Sequence, residues 1–304
     1  MKKALVLGSN GFLGQYLTAE LKSRGVEVTG YDRSDPAGDA TDHFVQGNFA
    51  LDNYFPQLLA DGRFDVVYHL ISTTVPAPGT ANALREVVEN IAPTVRLLEA
   101  MKNTGAEMVF VSSGGTVYGE SQGQPHRSGD PMRPICSYGM QKAAIEQFLQ
   151  LYDGAGEVRC KICRVSNPYG VMPQQGRTQG IIPILLRCLL NGQPIALYGE
   201  TVRDYIFISD VTAALIAAAD YSGSENVFNV GSGVGMGLHA LARLLEERSG
   251  LTFSAVDQQP IRTCDVSESV LDISDTIRLL DWTPRVSLVE GVDWTLKALR
   301  AVEV

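Results

Sequence analysis

The sequence predicts a doubly wound α/β fold, in which helices cover both faces of a parallel sheet. Two observations carry this prediction. Short apolar runs rich in β-branched residues alternate with stretches of helical periodicity through the first half of the chain. These runs are apolar along their whole length, which is typical of parallel strands buried on both faces. The 304 residues also leave room for a second, smaller α/β domain.

The individual elements follow from this patterning in chain order. The predicted strands are Ala4–Leu7, Val26–Tyr31, Phe64–Leu70, Met108–Ser113, Arg159–Val165 and Val227–Val230. The predicted helices are Phe12–Arg24, Ala83–Asn103 and Tyr138–Tyr152. The second of these helices should end at Asn103 because Thr104-Gly105 follows, and glycine commonly terminates a helix.

The first domain is predicted to break off near Val165. Asn167-Pro168-Tyr169-Gly170 interrupts the alternation there, and loops with isolated helices follow. The strand-like Val227–Val230 then indicates a return to the sheet. We therefore expect residues 1–165 and about 204–235 to form the sheet domain, and about 166–203 and 236–304 to form the smaller one.

Composition and charge narrow the possible function classes. Hydrophobic residues make up 45% of the chain and charged residues 19%, which is ordinary for a globular enzyme. The formal net charge is −9, with acidic and basic residues scattered along the chain. Such a surface repels nucleic acid and has no electrostatic affinity for an anionic membrane, so we expect neither as a partner. An anionic ligand would need a few well-placed local cations.

The five cysteines predict neither a disulfide framework nor a metal site. Cys160 and Cys163 form a C-x-x-C pair, but no second pair completes a zinc site, and strand residues three apart point to opposite faces. A signal peptide does not fit, because the strand-like run Lys3–Gly8 begins at the N-terminus. No apolar run reaches the ~18 residues that a transmembrane helix needs. We expect a cytoplasmic protein with reduced thiols.

Three glycines at the first strand–helix junction predict a dinucleotide site. Gly8, Gly11 and Gly14 form G-x-x-G-x-x-G, which lets the backbone turn sharply and approach a pyrophosphate at a helix N-terminus. Asp32 ends the second predicted strand, where a carboxylate can accept both hydroxyls of the adenosine ribose. It would repel a 2′-phosphate, so NAD is the expected cofactor of a Rossmann domain. Neighbouring Arg33 leaves NADP open as an alternative.

A tyrosine and a lysine at the start of the third predicted helix form a candidate catalytic pair. Tyr138 and Lys142 are four residues apart and therefore share one helix face. We expect the lysine to lower the pKa of the tyrosine from its usual value of about 10. A tyrosine tuned in this way can take a proton from a hydroxyl while a nicotinamide takes hydride from the same carbon.

Further segments combine with these two motifs into a family pattern. They are Val67-Tyr68-His69-Leu70, Asn90, Val111–Gly119, Arg164–Gly170, Arg203-Asp204-Tyr205 and Arg262–Val266. Together with Gly8–Gly14 and Tyr138–Lys142 they cover nearly the full chain. The sequence resembles the extended short-chain dehydrogenase/reductases, specifically the NAD-dependent nucleotide-sugar epimerase/dehydratase branch typified by UDP-glucose 4-epimerase.

The resemblance implies a set of site residues. The expected cofactor-binding residues are Gly8, Gly11, Phe12, Leu13, Gly14, Asp32, Asn48, Phe49, Leu70, Ile71, Ser72, Asn90, Ser112, Tyr138 and Lys142. The expected substrate-binding residues are Asn167, Arg203, Tyr205, Arg262 and Asp265. The two arginines supply the local cations that a diphosphate needs. The resemblance further implies a UDP-linked sugar as substrate, polysaccharide biosynthesis as setting and no metal.

One departure from the family concerns the active-site loop. The family commonly has a serine that binds the reacting oxygen at the position of Gly114. Another hydroxyl must replace it, and we expect Thr116, on the same strand face, or else Ser113. Family dehydratases carry an Asp-Glu pair where Gly115 and Thr116 stand, and decarboxylases carry a glutamate at Thr116, so neither reaction is expected.

Reversible hydride transfer at one sugar carbon is the reaction that remains. We expect C4 epimerisation through a transient 4-keto sugar. Two alternatives stay open: a dehydrogenase or reductase with exchangeable NAD(H), and a non-catalytic NAD-binding protein. The identity of the sugar depends on loop residues such as Ser72–Pro78 and Tyr169–Gln179, which the sequence does not place.

Two helices predict a homodimer, because each is apolar on more than one side. The residues concerned are Val87, Val88, Ile91, Val95, Leu97 and Leu98 on one helix, and Ala143, Ile145, Phe148 and Leu149 on the other. A helix that is apolar on two faces is buried on both. The resemblance implies that two such helices from each subunit form a four-helix interface.

Overall fold

The computed structural model describes residues 1–35, 41–76, 80, 82–170 and 180–302, and it confirms the doubly wound α/β fold. The strands are β1 (Lys3–Leu7), β2 (Glu27–Asp32), β3 (His43–Gln46), β4 (Val66–His69), β5 (Glu107–Ser113), β6 (Cys160–Val165), β7 (Asn167–Tyr169), β8 (Ile195–Tyr198), β9 (Val202–Phe207), β10 (Val227–Val230), β11 (Gly235–Gly237), β12 (Val256–Gln259) and β13 (Glu268–Ser269). The helices are α1 (Phe12–Ser23), α2 (Phe55–Gly62), α3 (Ala83–Glu86), α4 (Ala92–Met101), α5 (Ser137–Gly154), α6 (Ile181–Leu190), α7 (Ile208–Asp220), α8 (Leu238–Ser249), α9 (Ser274–Leu280) and α10 (Leu288–Val302).

The central sheet contains seven of the described strands. Their spatial order is β3-β2-β1-β4-β5-β6-β10, and every neighbouring pair is parallel. Because the order reverses between β1 and β4, the loops that leave these two strands diverge and open a crevice at their carboxyl ends. The crevice places the end of β1 and the start of α1 where a ligand can reach them.

Helices cover both faces of this sheet. On one face α1 and α7 pack together over an apolar core that includes Leu17, Val28 and Leu215. On the other face α2, α4 and α5 pack over a second core that includes Leu98, Phe110 and Leu149. The strands between the two cores are almost wholly buried, which agrees with their continuous apolar sequences.

Every predicted element corresponds to an observed one, but α2 and α7 on the central sheet were not predicted, and two further differences concern a strand and a helix. Strand β3 was not predicted, because it is a four-residue edge strand whose side chains are exposed or half-buried. The long helix predicted from Ala83 ends at Met101 and contains a π-helical turn at Val87–Ile91 between α3 and α4. Such a turn inserts an extra residue into the helix and changes which side chains face the sheet.

The remaining strands form two smaller sheets beside the carboxyl edge of the central one. β9 pairs with β7, β11 and β13, while β8 pairs with β12, and α6, α8 and α10 pack around a third apolar core. β9 spans the domain boundary expected near residue 204 and lies wholly in the sheet that it forms with β7, β11 and β13. It runs directly into α7, which packs on the central sheet. None of the described helices is long and apolar enough to cross a lipid bilayer.

Candidate active site

Glycines at three positions shape the loop between β1 and α1 and its junction with the helix. Gly8 has a φ of +89°, and a Cβ at Gly14 would lie 2.1 Å from the Gly8 carbonyl oxygen. Any larger residue at position 14 would therefore push the helix away from the loop. Gly11 is the N-cap of α1, and no side chain in the described structure caps this helix end. Its free backbone N–H groups are suited to an anionic group such as a pyrophosphate.

A cavity of about 500 Å³ lies in front of this loop, at the carboxyl ends of β1, β2 and β4. The predicted cofactor residues that line it are Gly8, Gly11, Asp32, Asn48, Phe49, Leu70, Ile71 and Ser72. Phe12, Leu13 and Gly14 form the first turn of α1, where the Phe12 side chain packs into the third core. The cavity therefore combines a glycine-rich loop, a helix N-terminus and a carboxylate, which is the set of features that a dinucleotide requires.

Asp32 is held at the far side of the cavity by the loop around it. Its Oδ2 accepts the Asn10 N–H at 3.2 Å, and its Oδ1 accepts the Ser34 hydroxyl at 3.2 Å. These bonds fix the carboxylate at the end of β2, where ribose hydroxyls can donate to its remaining lone pairs. Arg33 lines the same cavity, so the structure keeps both residues that bear on the choice between NAD and NADP.

Asn90 and Ser112 are among the predicted cofactor residues that do not line this cavity. Asn90, on the π-helical turn, accepts the Thr73 N–H at 3.0 Å and donates to the Thr73 hydroxyl at 2.9 Å, so it holds the loop that follows β4. Ser112 donates its hydroxyl to the buried carboxylate of Glu146. Both side chains therefore make hydrogen bonds within the protein and hold the segments around them in place.

Tyr138 and Lys142 lie on the first two turns of α5, as predicted. The Lys142 side chain is buried, and its Nζ donates to the Val111 carbonyl at 2.9 Å and lies 5.8 Å from the centre of the Tyr138 ring. This places the ammonium group between the end of β5 and the tyrosine. The pair faces the edge of the crevice where Ser72 lines the cavity and interacts with the Tyr138 hydroxyl.

Burial shifts the pKa values of both residues in this pair. Burial raises the pKa of Tyr138 to about 12, although its hydrogen bond with Ser72 acts in the opposite direction. Burial lowers the pKa of Lys142 to about 8, and the carboxylate of Glu146 opposes that change. Loss of hydration around the phenolate thus dominates the pKa of Tyr138 in the protein chain itself, and the lowering expected from Lys142 stays a prediction.

Thr116 lies in a turn, not on the strand. β5 ends at Ser113, and the Thr116 and Val117 N–H groups bond back to the Ser113 carbonyl at 3.2 and 3.1 Å. Thr116 does not lie on the strand face, so that expectation is wrong, but the residue still lies next to α5. A Cβ on Gly139 would lie 2.5 Å from the Thr116 carbonyl oxygen, so the turn packs directly on the start of this helix. The Thr116 Oγ1 is buried and has no hydrogen-bond partner within the described residues.

Gly114 has no space for the serine that stands there in the family. A Cβ at this position would lie 2.6 Å from Leu271 Cδ1 and 3.1 Å from the Arg164 carbonyl oxygen. Leu271 belongs to a small cluster with Val117, Tyr118 and Ile273 that packs beneath the turn. The loss of the serine is thus accompanied by a leucine that fills its space. Ser113, the second candidate hydroxyl, is half-buried at the end of β5.

The predicted substrate residues lie on the neighbouring sheet. Asn167 on β7 donates to the Asp204 carbonyl at 2.9 Å, and its side-chain amide lies 4.0 Å from where a Cβ of Gly115 would be. Arg203 on β9 donates to the backbone carbonyls of Val202 at 2.9 Å and Val266 at 2.7 Å. Burial lowers the pKa of Arg203.

The other predicted substrate residues are near Arg203. Arg262 binds Asp265 through two hydrogen bonds of 2.6 and 3.1 Å and stacks over the Tyr198 ring at 5.4 Å. Tyr205 is buried on β9, and burial raises its pKa to about 12. The Asp265 carboxylate acts to raise the pKa of Arg203, and the Arg262 guanidinium acts to lower it. Two guanidinium groups and one carboxylate therefore lie near one another beside β9.

Sequence reasoning missed three residues of this region. Gln141 donates to the Thr74 hydroxyl at 3.1 Å and fixes the loop after β4 to the helix that carries Tyr138. Glu146 accepts the hydrogen bond of the Ser112 hydroxyl, and Leu271 fills the space beside Gly114. Glu146 could have been found, since it is four residues beyond Lys142. Leu271 gives no local signal, because it reaches Gly114 across 157 residues of chain. Among the described residues, no group of His, Cys, Asp or Glu side chains is arranged to hold a metal ion.

The fold and the crevice define a dinucleotide-binding α/β enzyme. A family model described as "NAD dependent epimerase/dehydratase family" matches residues 4–231, and the chain belongs to this family. It is accordingly an NAD-dependent enzyme.

Individual relatives cover the whole chain. dTDP-4-dehydro-6-deoxyglucose reductase of Escherichia coli is 31% identical over 97% of both chains, and UDP-glucose 4-epimerase of Mycolicibacterium smegmatis is 29% identical over 98% of both. Among solved structures, UDP-glucose 4-epimerase of Thermotoga maritima with UDP-glucose has a TM-score of 0.92 at 28% identity, covering 99% of this chain and 100% of that one. The NAD complex of UDP-glucose 4-epimerase from Thermus thermophilus has a TM-score of 0.87 at 27% identity, covering 98% and 99%.

Proposed function

We propose that the protein is a nucleotide-sugar epimerase that inverts C4 of a UDP-linked hexose through a transient 4-keto sugar. The observation that carries this proposal is the Thr116 hydroxyl, which is buried without a partner among the described residues, beside the start of the helix that bears Tyr138. A buried hydroxyl without a hydrogen bond is costly unless a ligand completes it. A sugar hydroxyl placed between Thr116 and Tyr138 would do so.

In the proposed reaction, protein side chains transfer the proton and the cofactor would accept the hydride. Tyr138 takes the proton of the C4 hydroxyl and later returns it, while Thr116 holds the same oxygen by a hydrogen bond. Lys142 donates towards the nicotinamide ribose and stabilises the ionised tyrosine, whose pKa of about 12 must fall for this reaction. NAD supplies the acceptor for the hydride and, in its oxidised form, a positive charge near the phenol. The cofactor must stay bound, because its loss would leave the sugar oxidised.

The turn after β5 contains no group for the family's other reactions. Gly115 and Thr116 carry no carboxylate, so the turn supplies neither the acid–base pair of a dehydratase nor the glutamate of a decarboxylase. The open side of Gly115 faces the Asn167 amide instead. This arrangement supports a reaction that only transfers hydride to and from a single carbon.

A UDP-linked substrate is supported by the cations beside the crevice and by the relatives. Arg203 is held by backbone carbonyls, so a diphosphate can reach its guanidinium without first breaking an ion pair with a carboxylate. Arg262 is paired with Asp265 and would exchange part of that pair for phosphate. The Thermotoga maritima structure contains UDP-glucose. The loop residues that would select the sugar fall partly outside the described residues.

A net reductase is the second candidate, because the Escherichia coli relative is a reductase of a dTDP-linked 4-keto sugar. The two candidates differ in how the cofactor behaves. An epimerase regenerates NAD within each turnover, whereas a reductase consumes one NAD(P)H per product. Arg33 in the cofactor cavity also leaves room for NADPH in the second case.

The deciding experiment is to denature the purified protein, identify the nucleotide that it releases, and assay C4 inversion without added cofactor. UDP-glucose, UDP-N-acetylglucosamine and UDP-glucuronate are the substrates to supply. Stoichiometric NAD together with a C4-inverted product would support the epimerase and identify its sugar series. Turnover that appears only with added NADH or NADPH and a 4-keto substrate would replace it with the reductase. The Tyr138→Phe variant is the control and should lose activity by orders of magnitude while it keeps substrate affinity.

A homodimer in the cytoplasm is the remaining part of the proposal. Leu97, Leu98, Ile145 and Leu149 are buried against the sheet, while Val87 and Phe148 on the same helices are exposed. Val88 is also exposed, but it lines the cofactor cavity. Leu84 and Leu151, which extend this outer apolar surface, are 78% and 64% exposed. Apolar residues on the outer side of two neighbouring helices support an isologous contact with a second copy.

A further inference from the structure

A buried ion pair lies directly behind the candidate catalytic residues. Glu146 on α5 is 0% exposed and Arg164 on β6 is 3% exposed. The Arg164 Nε donates to Oε1 and Oε2 of Glu146 at 3.2 and 3.0 Å, and its Nη2 donates to Oε2 at 2.7 Å. Ser112 donates a further hydrogen bond to the same carboxylate. The carboxylate is thus fixed in position by three donor groups.

The stability of the fold does not account for such a pair. Removing two charges from water costs several kcal/mol per ion, and well-packed apolar residues of similar size often stabilise a protein as much or more. The proposed reaction also assigns no step to either residue. The pair therefore calls for a role in the arrangement of the groups around it.

Glu146 is aligned with the two residues that the reaction uses. Tyr138, Lys142 and Glu146 follow one another at intervals of four residues on α5, so their side chains lie on one face of the helix. Lys142 lies between the other two. Its ammonium group donates to the Val111 carbonyl at 2.9 Å and is 4.7 Å from the centre of the Phe110 ring.

Glu146 is the negative charge that acts on Lys142 within the described structure. The groups that face the lysine from other elements are Phe110 and the Val111 carbonyl on β5 and His69 on β4. Burial lowers the pKa of His69 to about 3, so this ring is neutral near pH 7. Burial alone would favour the neutral amine of Lys142, and the Glu146 carboxylate opposes that effect.

Arg164 connects the same carboxylate to the active-site turn. Its Nη1 donates to the Tyr118 hydroxyl at 2.8 Å and to the Ser128 carbonyl at 2.9 Å. The Tyr118 hydroxyl in turn donates to Asn229 Oδ1 on β10 at 2.6 Å. Tyr118 lies two residues beyond Thr116, so the network spans from the lysine to the turn that carries the unpartnered hydroxyl.

We propose that Glu146 is a positioning residue that keeps Lys142 charged beside Tyr138, and that Arg164 limits how strongly it does so. Arg164 takes up part of the negative charge of Glu146 and fixes its orientation. The lysine then experiences a carboxylate strong enough to retain its proton but not free to form an ion pair that would draw it away from the tyrosine. This inference extends the proposed function, since it gives Lys142 its charge state.

The test is a direct titration of Lys142 in the NAD-loaded protein. The chain is labelled with ¹³C at lysine Cε, the Lys142 signal is assigned with a Lys142→Arg variant, and its midpoint is followed by NMR. Glu146→Gln removes the carboxylate and leaves Arg164 positive, so the Lys142 midpoint should fall by about one pH unit. Arg164→Met leaves Glu146 uncompensated, so the midpoint should rise.

The opposite signs separate positioning from a merely structural role. If the pair only holds the fold together, both variants admit water and both midpoints move towards the ordinary value of about 10.5. Equal shifts, or no shift, would overturn the inference. The matched control is Glu107→Gln, which removes a buried carboxylate at the opposite end of β5, where it faces Arg159 at 3.6 Å. It should leave the Lys142 midpoint unchanged.

A further variant covers the case in which Glu146→Gln does not fold, since it leaves a buried arginine unpaired. Glu146→Gln together with Arg164→Met removes both charges and should fold. Its Lys142 midpoint should remain below that of the parent, because the variant loses the Glu146 carboxylate, which raises the pKa of Lys142; a midpoint at or above the parent value contradicts the proposal. The titration needs no turnover, so its result is independent of whether the protein proves to be an epimerase or a reductase.

Discussion

At the residue scale, Thr116 is placed by its backbone and not by its hydroxyl. Its N–H bonds to the Ser113 carbonyl and its own carbonyl packs on Gly139, which leaves Oγ1 buried and without a partner in the described structure. A side chain that contributes no hydrogen bond to the fold can be changed without unfolding it. The role of Thr116 in the reaction can therefore be tested separately from stability.

Replacing Thr116 by valine should lower kcat by about a hundredfold, because the oxygen that gains charge in the transition state loses one hydrogen bond. Thr116→Ser should keep most of the activity, since it restores the hydroxyl. Steady-state kinetics would measure both, with the nucleotide sugar that the C4-inversion assay identifies as substrate. Ser113→Ala tests the alternative hydroxyl in the same assay. Equal losses for Thr116→Val and Ser113→Ala would place the hydroxyl on neither residue alone.

Gly114 and Leu271 should behave as a coupled pair. Gly114→Ser should reduce the free energy of unfolding by about 1–3 kcal/mol, because its Cβ overlaps Leu271 Cδ1. Adding Leu271→Ala provides the missing space and should recover part of that loss, although Leu271→Ala alone is destabilising. Urea unfolding of the four proteins of this double-mutant cycle is the measurement. Strict additivity of the two changes would show that the residues do not compete for the same space.

At the scale of single elements, the sequence predicted what depends on local patterning. The apolar runs located β1, β2, β4, β5, β6 and β10, and the glycine spacing located the start of α1. Strand β3 carries too few buried residues to stand out, and the π-helical turn depends on how the helix packs. Ser112 and Asn90 belong to recognisable motifs, but their partners Glu146 and Thr73 are distant in sequence. Tertiary contacts therefore decided where those side chains point.

Position 14, in the first turn of α1, should not tolerate a side chain. Gly14→Ala puts a methyl group 2.1 Å from the Gly8 carbonyl, so helix and loop must separate and the bound NAD should be lost. The NAD released per subunit after denaturation is the measurement. Gly154→Ala is the control, because nothing lies within 4 Å of its Cβ at the end of α5. Full NAD content in Gly14→Ala would mean that this loop is not where the pyrophosphate binds.

At the scale of the whole molecule, the exposed apolar surface of α5 and of the helical segment 83–101 should determine the oligomeric state. Leu151→Lys places a charge on an exposed apolar side chain of α5 and should convert a dimer into monomers, because a buried unpaired charge destabilises an interface. Light scattering coupled to gel filtration measures the mass. Val256→Lys on β12 is the control at a distant exposed position and should leave the mass unchanged. A parent protein that is already monomeric would contradict the proposed dimer.

The direct passage from β9 into α7 bears on how such a molecule can be divided. Phe207 ends a strand of the smaller sheet and Ile208 begins a helix on the central sheet, and the chain returns to the central sheet again at β10. No single cut therefore separates the strands of the central sheet from those of the smaller sheets. The cofactor half and the substrate half should be inherited and lost together, and exchanging substrate specificity between relatives should proceed by point changes in loops more readily than by transplanting a contiguous module.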